Sequence, residues 1–399
     1  MHLSSEEQAL LAGEKGPAAQ KAMRILETLG RIYGAEGMLT IQSVQISGVS
    51  YANLGEAGLA WLSEMSEGGG RAQVLTTLNP AGMDIENYPA LGIDETFAEN
   101  QRRVLAAFEK MGVVSTCSCT PYLFGNLPRF GEHIAWAESS AVCYANSVLG
   151  ARTNREGGPS ALAASLTGRT PAYGFHLDAN RQPTRHVRVE AAVESNPEFG
   201  ALGKVIGDQI QAQRGARVPY ITGIAGASLE NLKSFCASIA TFGGVALFHI
   251  PGLTPEAQSF NPPKEDLVIT QADFAQAWQE LNNASAEEVD FVSLGCPHLT
   301  LREIQRAAEL LDGHQVKKEF WITTSRPVKG MADRMGYTRI IEAAGVKFAT
   351  DTCCVVAPIK GRFQALATDS AKACYYAYAK NGIKTRLRTF DEVVWEALQ

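Results

Sequence analysis

Phe291-Val292-Ser293-Leu294-Gly295-Cys296-Pro297-His298, with Thr300 to Leu311 behind it, is the most telling stretch of this 399-residue chain. Four residues of β character run into a Gly-Cys-Pro turn, and a helical repeat follows. Proline lacks an N–H and pushes the preceding residue out of the helical region, so Cys296 sits where the backbone leaves regular structure. Strand, turn and helix in that order make one unit of a parallel α/β layer. Open α/β sheets keep their sites at the carboxyl ends of strands. The same setting recurs twice. Val346 to Thr350 is a predicted strand ending at Asp351-Thr352-Cys353-Cys354. Val113 to Thr116 is strand-like and enters Cys117-Ser118-Cys119-Thr120-Pro121-Tyr122.

Outward from these stretches the chain alternates short strands with longer helices, which argues for α/β layers with parallel strands. Ser4 and Glu7 fit a capping box, and Ala18 to Leu29 repeats apolar residues at helical spacing. Ser43 to Ile46 reads as a strand, Gly55 to Met65 as a helix, Ala72 to Thr77 as a strand, and Glu95 to Met111 as a helix stopped by Gly112. Ala137 to Leu149 and Ser160 to Leu166 are helix candidates. Val187 to Glu194, Pro219 to Gly226 and Gly244 to Ile250 have β character, and Phe320 to Thr324 is a strand ending at Ser325-Arg326-Pro327. Subdomains of about 1–150, 151–265 and 266–399 are expected, with Asn261-Pro262-Pro263-Lys264 as the candidate linker.

Composition narrows the function. Apolar residues make up 45% and charged residues 20%, as in ordinary globular proteins. The net charge is -6 and no basic tract occurs, which disfavours nucleic acid and anionic membranes as partners. No apolar run reaches the ~18 residues a membrane span needs, and the polar, acidic start is not a secretory signal. Eight cysteines in such a chain read as reduced thiols, and a cytoplasmic location is expected.

A single cysteine is ordinarily a buried, inert packing residue. Three cysteine sites in one shared setting suit an iron–sulfur cluster with one iron left open to substrate as a Lewis acid. No ferredoxin-type run of closely spaced cysteines occurs, so electron carriage alone is disfavoured. One member of each close pair, Cys117/Cys119 and Cys353/Cys354, is expected to be a ligand and the other packing. The loop from Arg152 to Gly158 offers Arg152 and Arg155 as a carboxylate clamp. Ser47 and Ser50, Asn79, Asn146 and Ser147 are small polar groups near strand or helix ends. His298 is a candidate for proton transfer or for support behind the ligands. Ser325 with Arg326, and Ser370 with Lys372, are further candidate anion contacts. No P-loop, dinucleotide fingerprint or HExxH motif is present.

Several of these segments together resemble the large, catalytic part of aconitase X, a divergent branch of the aconitase superfamily. They are Ile46-Ser47-Gly48-Val49-Ser50-Tyr51, Asn79-Pro80-Ala81-Gly82-Met83-Asp84, Cys119-Thr120-Pro121-Tyr122-Leu123, Trp136 to Val142, Asn146 to Gly157, Gly295-Cys296-Pro297-His298 and Asp351-Thr352-Cys353. The resemblance runs nearly end to end. It implies aconitase-like three-layer α/β domains with mostly parallel sheets around a cluster site. It also implies an iron–sulfur hydro-lyase with Cys119, Cys296 and Cys353 as ligands, substrate held by the Ser47 and Arg152–Arg155 loops, and a serine, from this chain or a partner, as the base. Family members dehydrate cis-3-hydroxy-L-proline or mevalonate 5-phosphate. A swivelling domain closes the family's site and is not evident here, which implies a separate small subunit. The preferred substrate is cis-3-hydroxy-L-proline, because no single loop carries the basic density a phosphate needs and the composition lacks a hyperthermophile's Lys/Glu enrichment. Mevalonate 5-phosphate is the second reading. A non-enzymatic iron- or redox-responsive relative is a third, of another class.

Overall fold

The computed structural model describes residues 1–212 and 218–399. Near the N-terminus β1 (Met38–Thr40), β2 (Ser43–Ile46), β3 (Leu75–Leu78), β4 (Ala135–Trp136) and β5 (Arg169–Pro171) form two small sheets. One has the order β3-β2-β4 and is parallel, with Ser43 opposite Leu75 and Val44 opposite Ala135. The other pairs β1 with β5 antiparallel. The Ser4–Glu7 capping box forms as the sequence predicts. Glu95–Lys110 is the expected helix, capped by the Asp94 side chain, which accepts from the Phe97 N–H. Val113 to Thr116 contributes only an isolated bridge, Thr77 to Val114, so the first cysteine turn leaves a ladder of minimal length.

The middle of the chain builds β6 (Arg185–Val189), β7 (Pro219–Thr222) and β8 (Glu265–Ile269), parallel in the order β7-β6-β8. Gly244 to Ile250 is not a strand; it touches the sheet through a Tyr220–His249 bridge. Residues 261–264 run as irregular backbone into β8, so the chain leaves this sheet after helix Gln271–Glu280 instead. Helices Asn196–Gln211 and Leu229–Gly243 pack against each other. A Cβ at Gly203 would lie 2.8 Å from the Ser238 Cβ, and one at Gly207 2.7 Å from the Gly243 nitrogen. Glycine lets the two backbones approach at side-chain-free distance.

The last sheet is the largest. It contains β9 (Phe291–Leu294), β10 (Glu319–Thr324), β11 (Lys347–Thr350), β12 (Ala365–Thr368) and β13 (Lys384–Leu387), all parallel in the order β11-β10-β9-β12-β13. Both faces are covered. Val292, Leu294, Phe320 and Ile322 join one core, while Phe291 and Trp321 join the other, as the two-residue strand period requires. The chain winds outward from β9 to β11 and then returns to add β12 beside β9. The carboxyl ends of β9 and β12 therefore flank the point where the winding reverses, the place where such sheets open a crevice.

Candidate functional site

Cys296 and Lys372 lie at that reversal point. Gly295 follows β9 with φ +109, and a Cβ there would sit 2.2 Å from the Thr323 carbonyl oxygen, so only glycine fits. Thr323 Oγ1 donates to the Gly295 carbonyl at 2.6 Å, and the Leu299 N–H donates to the Thr323 carbonyl at 3.0 Å, closing the turn around Cys296. Lys372 opens the helix Ala371–Asn381 after β12, capped by Ser370, whose hydroxyl accepts from the Ala373 N–H. Cys353 follows β11 through Asp351, a left-handed residue at φ +65. Cys119 is held against the first sheet: the Ser118 N–H donates to the Leu78 carbonyl at 2.9 Å and the Gln45 amide to the Ser118 carbonyl at 3.0 Å.

His298 meets all three turns. Its Nδ1 is 3.0 Å from Ser118 Oγ, its Nε2 is 2.9 Å from the Thr352 carbonyl oxygen, and its backbone N–H donates to Cys119 Sγ at 3.3 Å. The ring is fully buried, and burial pulls it down to about 4, so it is neutral at neutral pH.

The close cysteine pairs separate in space. Burial pushes Cys119 well above the ordinary thiol range, with Glu138 and Cys353 adding to the push and His298 and Lys372 opposing it. Burial likewise raises Cys353, with Cys296 next in effect. Cys296 is partly exposed; burial raises it too, while Lys372 and the Ser370 hydroxyl pull it back. Cys117 instead packs in the N-terminal core beside Asp351, and Cys354 packs under the aromatic cluster of Phe291 and Trp321. Among the described residues no group of three or more His, Cys, Asp or Glu side chains could hold a metal ion. A multi-iron cluster spreads its thiolates over several metals and needs wider spacing than one ion. The donor set suits such a group: three thiols on three turns, with Cys353 in electrostatic reach of both Cys119 and Cys296, and Lys372 in reach of Cys119 and Cys296. Raised thiols also couple metal binding to proton release.

Lys372 is buried and pairs with Glu138 at 2.5 Å, with Ser139 Oγ a weaker acceptor at 3.4 Å. Burial pulls the ammonium down, but Glu138 and the neighbouring thiols overcome this and hold it charged. Burial pushes Glu138 up, yet Lys372, the Ser140 hydroxyl and the Ala141 N–H keep it below the usual range. Arg326 bridges Asp84, at 3.0 Å, and Asp351, and Asp84 accepts from the Thr350 N–H at 2.9 Å. This ties the Asn79–Asp84 turn to the Cys353 turn. Asp369, beyond β12, is pushed up to about 7 by burial, with Glu303 adding and Lys233 opposing.

The other sequence candidates fall into several settings. Ser47 is half-buried after β2 and lines an apolar cavity of about 510 Å³ with Trp61, Leu54 and Pro159. Ser50 Oγ donates to the Val356 carbonyl at 3.1 Å, joining its loop to the segment after Cys353. Asn79 has a buried side-chain oxygen with no hydrogen-bond partner among the described residues. Asn146 and Ser147 serve the backbone: the Asn146 amide donates to Thr153 and Ala246 carbonyls, and Ser147 Oγ accepts from the Phe248 N–H. Arg152 turns to Asp178 and the His176 carbonyl, whereas Arg155 is exposed. Ser325 caps the helix Arg326–Met335. Reasoning from residues missed Glu138, Ser118, Thr352, Asp84 and Asp369. Glu138 lay inside a quoted motif, and its place three residues before a helical N–H was the available signal.

Comparison with known proteins agrees with this architecture. Family models described as the aconitase X first, second and third domains match residues 1–179, 183–279 and 289–399. The chain is 46% identical to the phosphomevalonate dehydratase large subunit of Methanocaldococcus jannaschii, covering 94% of this chain and 95% of that one. It is 34% identical to the cis-3-hydroxy-L-proline dehydratase of Pseudomonas aeruginosa, covering 96% of this chain and 68% of that protein. The crystal structure of Thermococcus kodakaraensis aconitase X in its holo-form superimposes with a TM-score of 0.91 at 42% identity, over 100% of both chains. Among the described residues no helix is long and apolar enough to cross a membrane. The chain therefore belongs to the aconitase X family of hydro-lyases.

Proposed function

We propose that this chain is the large subunit of a phosphomevalonate dehydratase, acting with a separate small swivel-domain subunit on mevalonate 5-phosphate. The observation that carries the reading is the pattern of likeness. Four phosphomevalonate dehydratase large subunits match at 43–46% identity and another at 36%, each over nearly its whole length. The cis-3-hydroxy-L-proline enzymes match at 33–34% and extend well beyond this chain. This reverses the substrate preference drawn from sequence. That preference looked for basic residues within one loop, but those in this fold come from separate segments, as Lys233 and Lys372 do at the site.

Cys119, Cys296 and Cys353 would hold the iron–sulfur cluster. When bound, it supplies a Lewis-acidic iron that weakens the bond to the departing hydroxyl. The protein's own groups bind and orient. Lys372 presents positive charge in a buried setting and keeps donor capacity beyond Glu138 and Ser139, which suits a substrate carboxylate. Arg155, which is exposed, is the cation proposed for the phosphate, and Ser47 is the proposed base of this chain.

The test is activity of the anaerobically purified chain, with its small subunit co-expressed, on both substrates, with iron assayed in parallel. Dehydration of mevalonate 5-phosphate alone is expected. Turnover of cis-3-hydroxy-L-proline instead would overturn the substrate, and an iron-free, inactive complex would overturn the cluster.

A further inference from the structure

We infer that His298 is a positioning residue that sets the mutual spacing of the three cysteine turns from within the protein, before any cluster is inserted. The inference rests on the reading of Cys119, Cys296 and Cys353 as ligands. Ser118, His298 and Thr352 are far apart in sequence, 180 and 54 residues across their two contacts. One rigid ring joins them. Nε2 faces a carbonyl, which only accepts, so Nε2 carries the proton. In the neutral ring Nδ1 then accepts from the Ser118 hydroxyl. That hydroxyl oxygen in turn accepts from the Thr120 N–H at 3.3 Å, which orients the Cys119 turn.

The backbone of His298 is fixed as firmly as its ring. Its N–H points at Cys119 Sγ, and its carbonyl accepts from Lys233 at 2.9 Å, with Glu303 2.6 Å from the same ammonium. Cys296 is two residues away on the same turn, and Cys353 adjoins Thr352. All three ligands are thus referred to one buried side chain whose polar groups are all engaged. A residue that exchanged protons with substrate would need an open nitrogen. This one has neither exposure nor a vacant ring atom, so of the two roles offered by the sequence, proton transfer and support behind the ligands, it takes the second. Groups behind metal ligands that hold them in register commonly change metal affinity 10- to 100-fold when removed.

Two variants test this in the full chain. His298→Leu keeps the bulk and removes both ring bonds. His298→Gln restores them, because its amide N–H reaches a carbonyl and its oxygen a hydroxyl. The first readout needs no iron: hydrogen–deuterium exchange of the apo chain at residues 117–120 and 351–354. Exchange is expected to rise in both segments together in His298→Leu and to return toward wild type in His298→Gln. The second readout is the rate of iron loss to a chelator, followed by the cluster's visible absorbance. His298→Leu is expected to lose iron about tenfold faster or more, and His298→Gln to recover most of that. A folded His298→Leu chain with unchanged exchange in both segments overturns the inference. So does a folded His298→Gln chain whose exchange stays raised above wild type in both segments, and this arm decides if the leucine variant does not fold. A wild-type chain that takes up no iron removes the cluster reading, while the exchange arm still decides the role of His298.

Discussion

Two buried ion pairs, Arg181–Glu256 and Glu138–Lys372, are built from the same chemistry and differ in what they leave over. Arg181 is fully buried and every N–H is matched. Nε faces both Glu256 oxygens at 3.0 Å, Nη1 meets Asn146 Oδ1 and the Phe175 carbonyl, and Nη2 meets the Asn146 carbonyl and Glu256. Lys372 has three donors but, among the described residues, only Glu138 and Ser139 as hydrogen-bond acceptors, and it lies in electrostatic reach of Cys296 and Cys119. A saturated pair holds segments together and has nothing to offer a ligand. An unsaturated one retains charge and a donor that a ligand could use. The same arrangement, a buried cation paired with a glutamate, thus carries opposite meanings, and the acceptor count separates them.

That contrast can be broken by experiment. Lys372→Met should cut turnover by the proposed two-subunit enzyme about 100-fold or more, the scale seen when one preorganised donor is lost, with a smaller loss of stability than at Arg181. Steady-state kinetics beside thermal melting measure both; a variant that melts early yet turns over normally would erase the distinction. Arg181→Met should leave Glu256 buried and unpaired and lower stability by about 3–5 kcal/mol, read by denaturant unfolding, with turnover per folded molecule unchanged. Adding Glu256→Leu to Arg181→Met should restore much of that loss, because removing both charges ends the uncompensated burial. A double variant as unstable as the single one would mean that the Asn146 contacts, not the charge pair, dominate.

The smallest effect concerns His176, beside Arg181. Burial pulls it down to about 3 from 6.5, with His133 the next cause, so the folded state keeps it neutral. The unfolded chain takes up its proton below about 6.5. Stability from this group is therefore present above pH 6.5 and is lost as pH falls toward 3, by roughly 1 kcal/mol per pH unit. His176→Phe should flatten the acid side of a melting-temperature profile; an unchanged slope would place the acid sensitivity elsewhere.

Strands rich in β-branched and aromatic residues were the readable part of this chain. Phe291 to Leu294 and Phe320 to Thr324 carry such residues and stop at Gly295 and Ser325, so local preference and tertiary placement agree. Strands Ala365–Thr368 and Lys384–Leu387 were not readable: one is rich in alanine and the other in charge, and pairing with β9 and with each other makes them strands. Helix Asn196–Gln211 was hidden by Gly200, Gly203 and Gly207, which look like breakers but form its contact with Leu229–Gly243. At the site, cysteines announce themselves by residue type. Glu138 and Ser118 do not, since their importance lies in partners 234 and 180 residues away.

Those separations bear on how the protein is made. With synthesis at about 5–20 residues per second, the span between Glu138 and Lys372 takes on the order of 10–50 seconds to emerge. The first cysteine turn waits through that interval without its lysine, and through most of it without His298, Cys296 and Cys353. Iron delivered to the nascent chain would find a lone thiol pair, Cys117 and Cys119, in place of the finished set. If Cys119, Cys296 and Cys353 hold a cluster as proposed, its loading waits until the segment carrying Cys353 has emerged.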